Sequence, residues 1–558
     1  MKLKYSIIAL MLAGGLMTSC SDFFDTYPKD ELSPSTFWKT PTDAEKAVVA
    51  CYPNWYSPAT GSTEVFFADC MSDIAYSHTG SSKYKYVGNG SMSRSSTVAY
   101  YDYKTIRRCN NFFANIDKVS GLSDEAKKDL MGQVRTIRAY RYFQMNYWFG
   151  GVPLITDLPQ LADDAKLPRD SEDKVKQFVY KELDEAASEL NKQPAKRGRI
   201  AKGTALAIKM RASLYWGDLD LALKAARDIQ ALNLYNIEKD MSFLELFSLK
   251  GCDSKEIICS MQHVTTTYAF DNTIRLFNNA DGGWASFVPT QNLVDMFEMN
   301  NGLMPNEPGS GYDPTHPYAN RDPRLKNTVV YSGQDWVGSN GQTRIFNGLD
   351  KKIDGKTNYD YWNKENNASH TSMIWAKYTT PRSQYSASLT DDELCPILFR
   401  YAEVLLTIAE INIEKNENIA EAFDYIDELR QRGGQIKVDR SKYDTQDKRR
   451  ELIRRERCIE LAGEGLRRPD LLRWHDKDGK MLAETVLNGK WYHPVGTVDY
   501  NEPDPDRRAV IKAPTAENES ERTLDKLVFK PYMRYLPIPD GQLTTNPNLT
   551  QTEGYEQN

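Results

Sequence analysis

Residues 124–151 read DEAKKDLMGQVRTIRAYRYFQMNYWFGG. Apolar side chains at Leu130, Val134, Ile137, Tyr140 and Phe143 recur every three or four positions, the spacing of one face of an α-helix. The stretch stops at Gly150-Gly151, just before Pro153. Glycine takes the left-handed conformation that ends a helix at no steric cost, and proline has no N–H with which to continue one. This predicts an amphipathic helix over 124–149.

Outward from it, a second helix is predicted over 171–190. Ser171 is placed to cap it, and Val175, Phe178, Val179, Leu183 and Ala186 form its stripe. The two make an antiparallel pair. Stretches 204–216 and 219–232 lie on either side of Gly217-Asp218, with Ala205, Ala207, Ala212, Ala222, Ala225 and Ala226 small enough for backbones to approach closely, as in a tetratricopeptide hairpin. The layout returns at 401–414 and 419–431 around Lys415-Asn416-Glu417-Asn418. The expected fold is mainly α, with at least three helical hairpins in regions 124–232 and 400–432, degenerate repeats of no strict period.

The rest of the chain divides by composition. Lys2 and Lys4 precede an apolar run from Ile7 to Met17, and Thr18 and Ser19 lead into Cys20. That is an export signal over 1–19, too short to span a bilayer, whose cysteine can carry lipid. Residues 20–41 read as a tether, and helical patterning starts near Thr42 for a helical part over 42–264. Over 265–395 Gly, Asn, Asp, Tyr and Trp dominate, and Trp284, Trp336, Trp362 and Trp375 fall there, as expected of a loop-rich insertion. A helical hairpin region over 396–475 follows. The proline-bearing segment 476–558 is expected to be irregular and to wrap the helices.

A net charge of −6, from 71 basic and 77 acidic residues, offers a polyanion such as nucleic acid no broad positive field. Eight cysteines are too few for a disulfide framework, and lipidation of Cys20 leaves seven, so at least one buried free thiol is expected. His78, His263, His316, His370, His475 and His493 are scattered without a metal-binding spacing. Asp69, Asp73 and the acids from Asp350 to Asp360 lack the spacing of a calcium loop and read as solvated turns. No phosphate loop follows a strand, so no metal or cofactor is expected. Arg457, Glu460, Glu464, Arg467, Asp470 and Arg473 place opposite charges three or four residues apart. Carboxylates held by arginines make poor general acids, which points to a structural network ending at Gly465 and an Arg468-Pro469 break, and away from an enzyme. Trp148 and Trp216 lie within helical patterns and are expected in the core.

Several stretches together resemble the SusD/RagB family: the lipobox followed by DFFDTYP, then RTIRAYRYFQMNYWFGGVPLI (135–155), RYAEVLLTIAEI (400–411), ERCIELAGEGLRRPDLLRW (456–474) and YLPIPDGQLTTNPNLTQ (535–551). They stand in the family's order over nearly the whole chain. The resemblance implies a non-catalytic, surface-displayed lipoprotein anchored by Cys20 in the outer membrane. It would capture oligosaccharide and deliver it to a SusC-like TonB-dependent transporter. A peptide-binding member of the same family, a secreted glycan-degrading enzyme and a protein-binding scaffold remain as other readings. The shared motifs belong to the scaffold, so they do not name the ligand.

The ligand residues must come from chemistry. A sugar is apolar on its C–H face and polar at its rim, which suits an exposed ring beside amides and carboxylates. Trp336, Trp362 and Tyr84 are the first candidates, followed by Trp284, Tyr86, Tyr361 and Tyr76. All sit in Gly-, Ser- and Asn-rich text away from predicted helix faces.

Overall fold

The computed structural model describes residues 37–57, 64–78, 83–363 and 366–556. Cys20, the export signal and most of the tether lie outside the described residues.

The helix Asp124–Phe149 starts where Ser123 Oγ accepts the N–H of Ala126 and ends at Gly150 in the left-handed conformation. It is not amphipathic along its length: from Gln133 onward nearly every residue is buried. Its polar side chains stay inside because each meets a partner. Arg138 bonds Glu182 at 2.8 Å and Asn110 at 2.9 Å, and Arg141 donates to the carbonyl of Tyr100 at 2.8 Å. The neighbouring helix Glu172–Glu189, capped by Ser171, packs along it.

Lys202–Tyr215 and Leu219–Ala231 form the second hairpin, turning through Gly217 at positive φ. Tyr401–Lys415 and Ile419–Arg432 form the third, turning through Asn416 and Asn418, both left-handed. Gln446–Glu460 packs on the third hairpin. The two helical blocks are joined by a buried pair, Arg211 to Glu403 at 2.7 Å. The fold is therefore mainly α and built on tetratricopeptide-like hairpins. Trp148 is buried, and Trp216 is half-buried against the same core.

The charge cluster is structural and larger than the sequence suggested. Arg400 pairs with Glu256, Glu460 and Glu464 at 2.7–2.8 Å. Arg457 and Arg473 share Glu410 and Asp470. Arg473 and Arg457 outweigh burial at Glu410, and Arg324 and Arg430 do so at Glu456, drawing both carboxyls down to about 2, out of range of acid catalysis near neutrality. The expected break at Arg468-Pro469 is absent: Pro469 sits in the first turn of the helix Arg467–Arg473. No intrahelical acceptor is lost there, since a first-turn N–H has none. Asp69 and Asp73 are not solvated turns either. Both are buried, and Asp69 accepts the backbone N–H groups of Gly463, Gly465 and Arg467 at 2.9–3.2 Å. Asp360 is buried as well, holding Asn278 and Arg344, and half-buried Asp350 accepts the N–H of Val498, whereas Asp354 is exposed in a turn as expected.

The stretch from 265 to 395 leaves and rejoins the helical body through one antiparallel ribbon, Ile257–Ser260 against Ile397–Arg400. Inside it, short pairs replace a continuous sheet: Val329–Tyr331 with Met373–Trp375, and Asp335–Val337 with Thr343–Ile345. Ala75–Tyr76 pairs with Val288–Pro289, which fastens the 64–78 segment to this region. The C-terminal segment lies on the helices. Leu536 N donates to Trp148 O at 2.6 Å, Tyr535 Oη donates to Glu172 at 2.7 Å, and Arg468 reaches Met533 O at 3.0 Å.

Candidate functional site

The Ala75–Tyr76 pairing sets where the rings of this segment lie. It carries His78 to the loop of Trp284, where His78 Nε2 lies 3.1 Å from the Trp284 carbonyl. Across from it, His370 stacks on His78 with centroids 4.4 Å apart and planes 5° from parallel. Trp362 meets His370 at 4.3 Å, and Tyr76 underlies His370 at 6.0 Å with Trp491 edge-on behind it. Trp362 stays 39% exposed against this half-buried pair of imidazoles, and Trp284, whose backbone carbonyl meets His78, is 40% exposed.

Burial lowers the pKa of both imidazoles, and for His370 the nearby His78 and Lys85 add to it, bringing it down to about 3. At neutral pH the two rings are uncharged and can stack face to face. The result is a surface of neutral aromatic groups with polar edges, the arrangement that receives the C–H face of a sugar. Lys85 lies beside Tyr76, its Nζ 3.5 Å from the hydroxyl, and Arg275 lies beside Trp284, its guanidinium 5.4 Å from the ring centre.

Of the rings expected at the surface, Trp362 and Trp284 are there, the first against His370 and the second tied to His78 through its backbone carbonyl. Trp336 is not: it is 1% exposed, its indole N–H donates to Asp281 at 2.6 Å, and it packs between Phe277 and Phe346. The two-stranded hairpin turns its indole inward, and Asp281, held also by Arg344, supplies the acceptor its N–H needs inside. Tyr84 is buried against Phe67 and Tyr100, and Tyr76 is buried beneath His370. Tyr86 is half-buried with Lys83 over its ring, and Tyr361 is half-buried with its backbone tied to Asn358 and Asn366. The sequence reading missed His78 and His370, which look isolated along the chain and meet only in three dimensions.

A sequence profile described as the SusD family matches residues 255–555, and the chain belongs to that family. It is 26% identical over 504 residues to SusD-like protein P25 of Formosa agariphila, covering 85% of this chain and 90% of that one. A solved SusD-like carbohydrate binding protein from Bacteroides fragilis superposes with a TM-score of 0.76 at 25% identity, over 92% of this chain and all of the other. A second SusD-like protein from the same species gives 0.74 at 24% identity over 95% of this chain and all of the other.

Proposed function

We propose that this protein is a surface glycan-binding lipoprotein, held in the outer membrane by lipid on Cys20, that captures oligosaccharide and hands it to a SusC-like TonB-dependent transporter. The observation that carries the reading is the exposed Trp362 ring on the stacked His370 and His78, with the exposed Trp284 joined to His78 through its backbone carbonyl. The carbohydrate-binding relative of the same fold supports the ligand class. No helix among the described residues is long and apolar enough to cross a membrane, which accords with an anchor made of lipid.

Binding without turnover is the form the geometry favours. Glycoside hydrolysis in most families uses two carboxyl groups facing each other across the bond, one of them able to hold a proton near neutrality. Around the platform the carboxylates of Asp281 and Asp360 instead face inward to Arg344. Isothermal titration with oligosaccharides tests the reading: Trp362→Ala and Trp284→Ala should each weaken binding about tenfold, as loss of one buried aromatic face implies. Unchanged affinity in both folded variants rejects the platform. Cys20→Ala should move the protein from the membrane fraction to the soluble fraction.

A further inference from the structure

We infer that the protein has a second ligand site, a cavity between the Gln291–Asp295 helix, the 304–317 loop and the C-terminal segment, which takes a neutral hydroxylated ring, a mono- or disaccharide, between Asp295 and Arg522. The site stands beside the glycan-binding reading above and shares no lining residue with the aromatic platform.

The cavity measures about 320 Å³, at the small end of ligand pockets, which run from about 300 to 1,000 Å³. That is room for one or two sugar rings. Five of its lining residues are prolines, Pro305, Pro314 and Pro494 among them, and proline has no N–H. Much of the wall is therefore apolar and donates nothing from its main chain. Its frame is also fixed: Ile511 N donates to Thr315 O at 2.8 Å, Ser310 Oγ to Pro305 O at 3.0 Å and Arg321 to Pro317 O at 2.6 Å. A preformed wall needs no ordering when a ligand enters.

The charges around the cavity mostly have partners. Asp313 holds Thr315 and His316, Glu519 holds Lys490 and Tyr492, and Glu521 holds Lys512. Arg321 donates to the carbonyls of Val294, Phe297 and Pro317. Two lining groups of opposite sign keep hydrogen-bonding capacity. Asp295 is exposed and accepts from Gln291 Nε2 at 2.8 Å, and Arg522 lies 5.3 Å from the Tyr492 ring centre. Among the described residues neither forms an ion pair within 4 Å. Gln291 lines the cavity at 5% exposure, and its Oε1 has no partner among the described residues. Protein crowded around the open Asp295 carboxyl raises its pKa, against the pull of Gln291, Arg321 and Arg522, as befits a carboxylate in a concavity.

One carboxylate and one guanidinium balance, so the cavity favours no net charge in its occupant. Asp295 needs donors and Arg522 needs acceptors, and a hydroxyl is both. Neighbouring hydroxyls of a sugar ring can donate to Asp295 and accept from Arg522 while the C–H face lies on proline. A free amino acid carries the same two signs as ions. Stripping water from an ammonium and a carboxylate costs far more than desolvating hydroxyls, so the apolar wall favours the neutral ligand.

Saturation-transfer NMR and titration calorimetry on the whole folded protein test the site. Glucose, galactose, mannose, N-acetylglucosamine and cellobiose are the probes, with glycine, serine and glutamate as the amino-acid arm. The expected result is binding of at least one sugar, weakened about tenfold in Asp295→Asn and in Arg522→Gln, as loss of a charge-assisted hydrogen bond implies. Asn306→Trp, at an exposed position lining the cavity, should block it as well, with thermal midpoints showing that the variants fold. Trp362→Ala should leave this binding unchanged. Binding of no sugar in the panel at millimolar concentration overturns the site, and binding of an amino acid without any sugar overturns the ligand class. Sugar binding that is lost in Trp362→Ala and indifferent to Asp295→Asn and Asn306→Trp belongs to the platform, which overturns the cavity and leaves glycan binding standing.

Discussion

Arg467 and Asp73 lie 394 residues apart in sequence and form a two-pronged ion pair, Nε–Oδ1 at 3.0 Å and Nη2–Oδ2 at 3.1 Å. Both side chains are buried. The same turn donates three backbone N–H groups to Asp69, so the N-terminal segment and the Gly463–Arg467 turn are locked together at two carboxylates. Removing one partner of a buried pair strands the other charge, which costs about 3–5 kcal/mol. Arg467→Ala should lower the urea midpoint accordingly. Adding Asp73→Asn should restore part of the loss, because no unpaired charge then remains.

Trp336 and Trp362 should separate stability from binding. Trp336→Ala removes a buried side chain and is expected to destabilise by about 3–5 kcal/mol. Trp362→Ala, on the exposed platform, should leave the thermal midpoint nearly unchanged and weaken glycan binding. A Trp336→Ala protein as stable as the parent contradicts its place in the core.

Acid should act in two stages. His370 is held neutral down to about 3 in the folded protein against an ordinary 6.5. The unfolded chain therefore takes up a proton first, and stability falls as pH drops below 6.5. Glu410 and Glu456 sit at about 2 against an ordinary 4.5, so their contribution is full above 4.5 and is lost as pH falls towards 2. Urea unfolding at pH 7, 5 and 3 should show both stages, and His370→Gln should shrink the first, leaving the share of His78 and the other buried imidazoles, without touching the second.

Gly132 predicts a reversal of helix propensity. A Cβ there would lie 2.7 Å from Leu190 Cγ and 3.2 Å from the Ala186 carbonyl. Alanine favours helix by about 1 kcal/mol over glycine, yet crowding a packed interface costs about 1–3 kcal/mol. Gly132→Ala should therefore leave stability unchanged or lower it, and a more stable variant would show that the helix pair can part.

The seven described cysteines are free. Cys252 is half-buried, and a hydrogen bond from Cys395 lowers its thiol pKa, whereas burial pushes Cys70, Cys109 and Cys458 up. Brief alkylation of the native protein, read by peptide mass spectrometry, should modify Cys252 first. Labelling of Cys70 or Cys458 ahead of it would contradict that order.

The helical hairpins were legible because their signals are local. Ser123, Gly150, Ser171 and Gly217 sit beside the turns they make, and the apolar spacing between them is helical. The full burial of Asp124–Phe149 was not legible, because Arg138 and Arg141 look like a solvent face until Glu182 and the Tyr100 carbonyl are seen opposite them. The site was half legible. Composition singled out Trp284 and Trp362, but nothing near Trp336 shows that Asp281, 55 residues earlier, accepts its N–H. Nor does anything near His78 announce a bond to Trp284, 206 residues later.

The hydrogen bond from Leu536 to Trp148, with Arg534 lying 4.2 Å from the Tyr147 ring centre, bears on how the molecule is made. Synthesis runs from the amino end, so the Asp124–Phe149 helix waits for almost the entire polypeptide before its last turn is covered. Early hairpins can close locally, but the cooperative core is completed only when the tail arrives. Until then a growing chain exposes the apolar and aromatic surface around Trp148. A chain lacking the segment from Arg534 onward should therefore leave the last turn of that helix uncovered and its core incomplete.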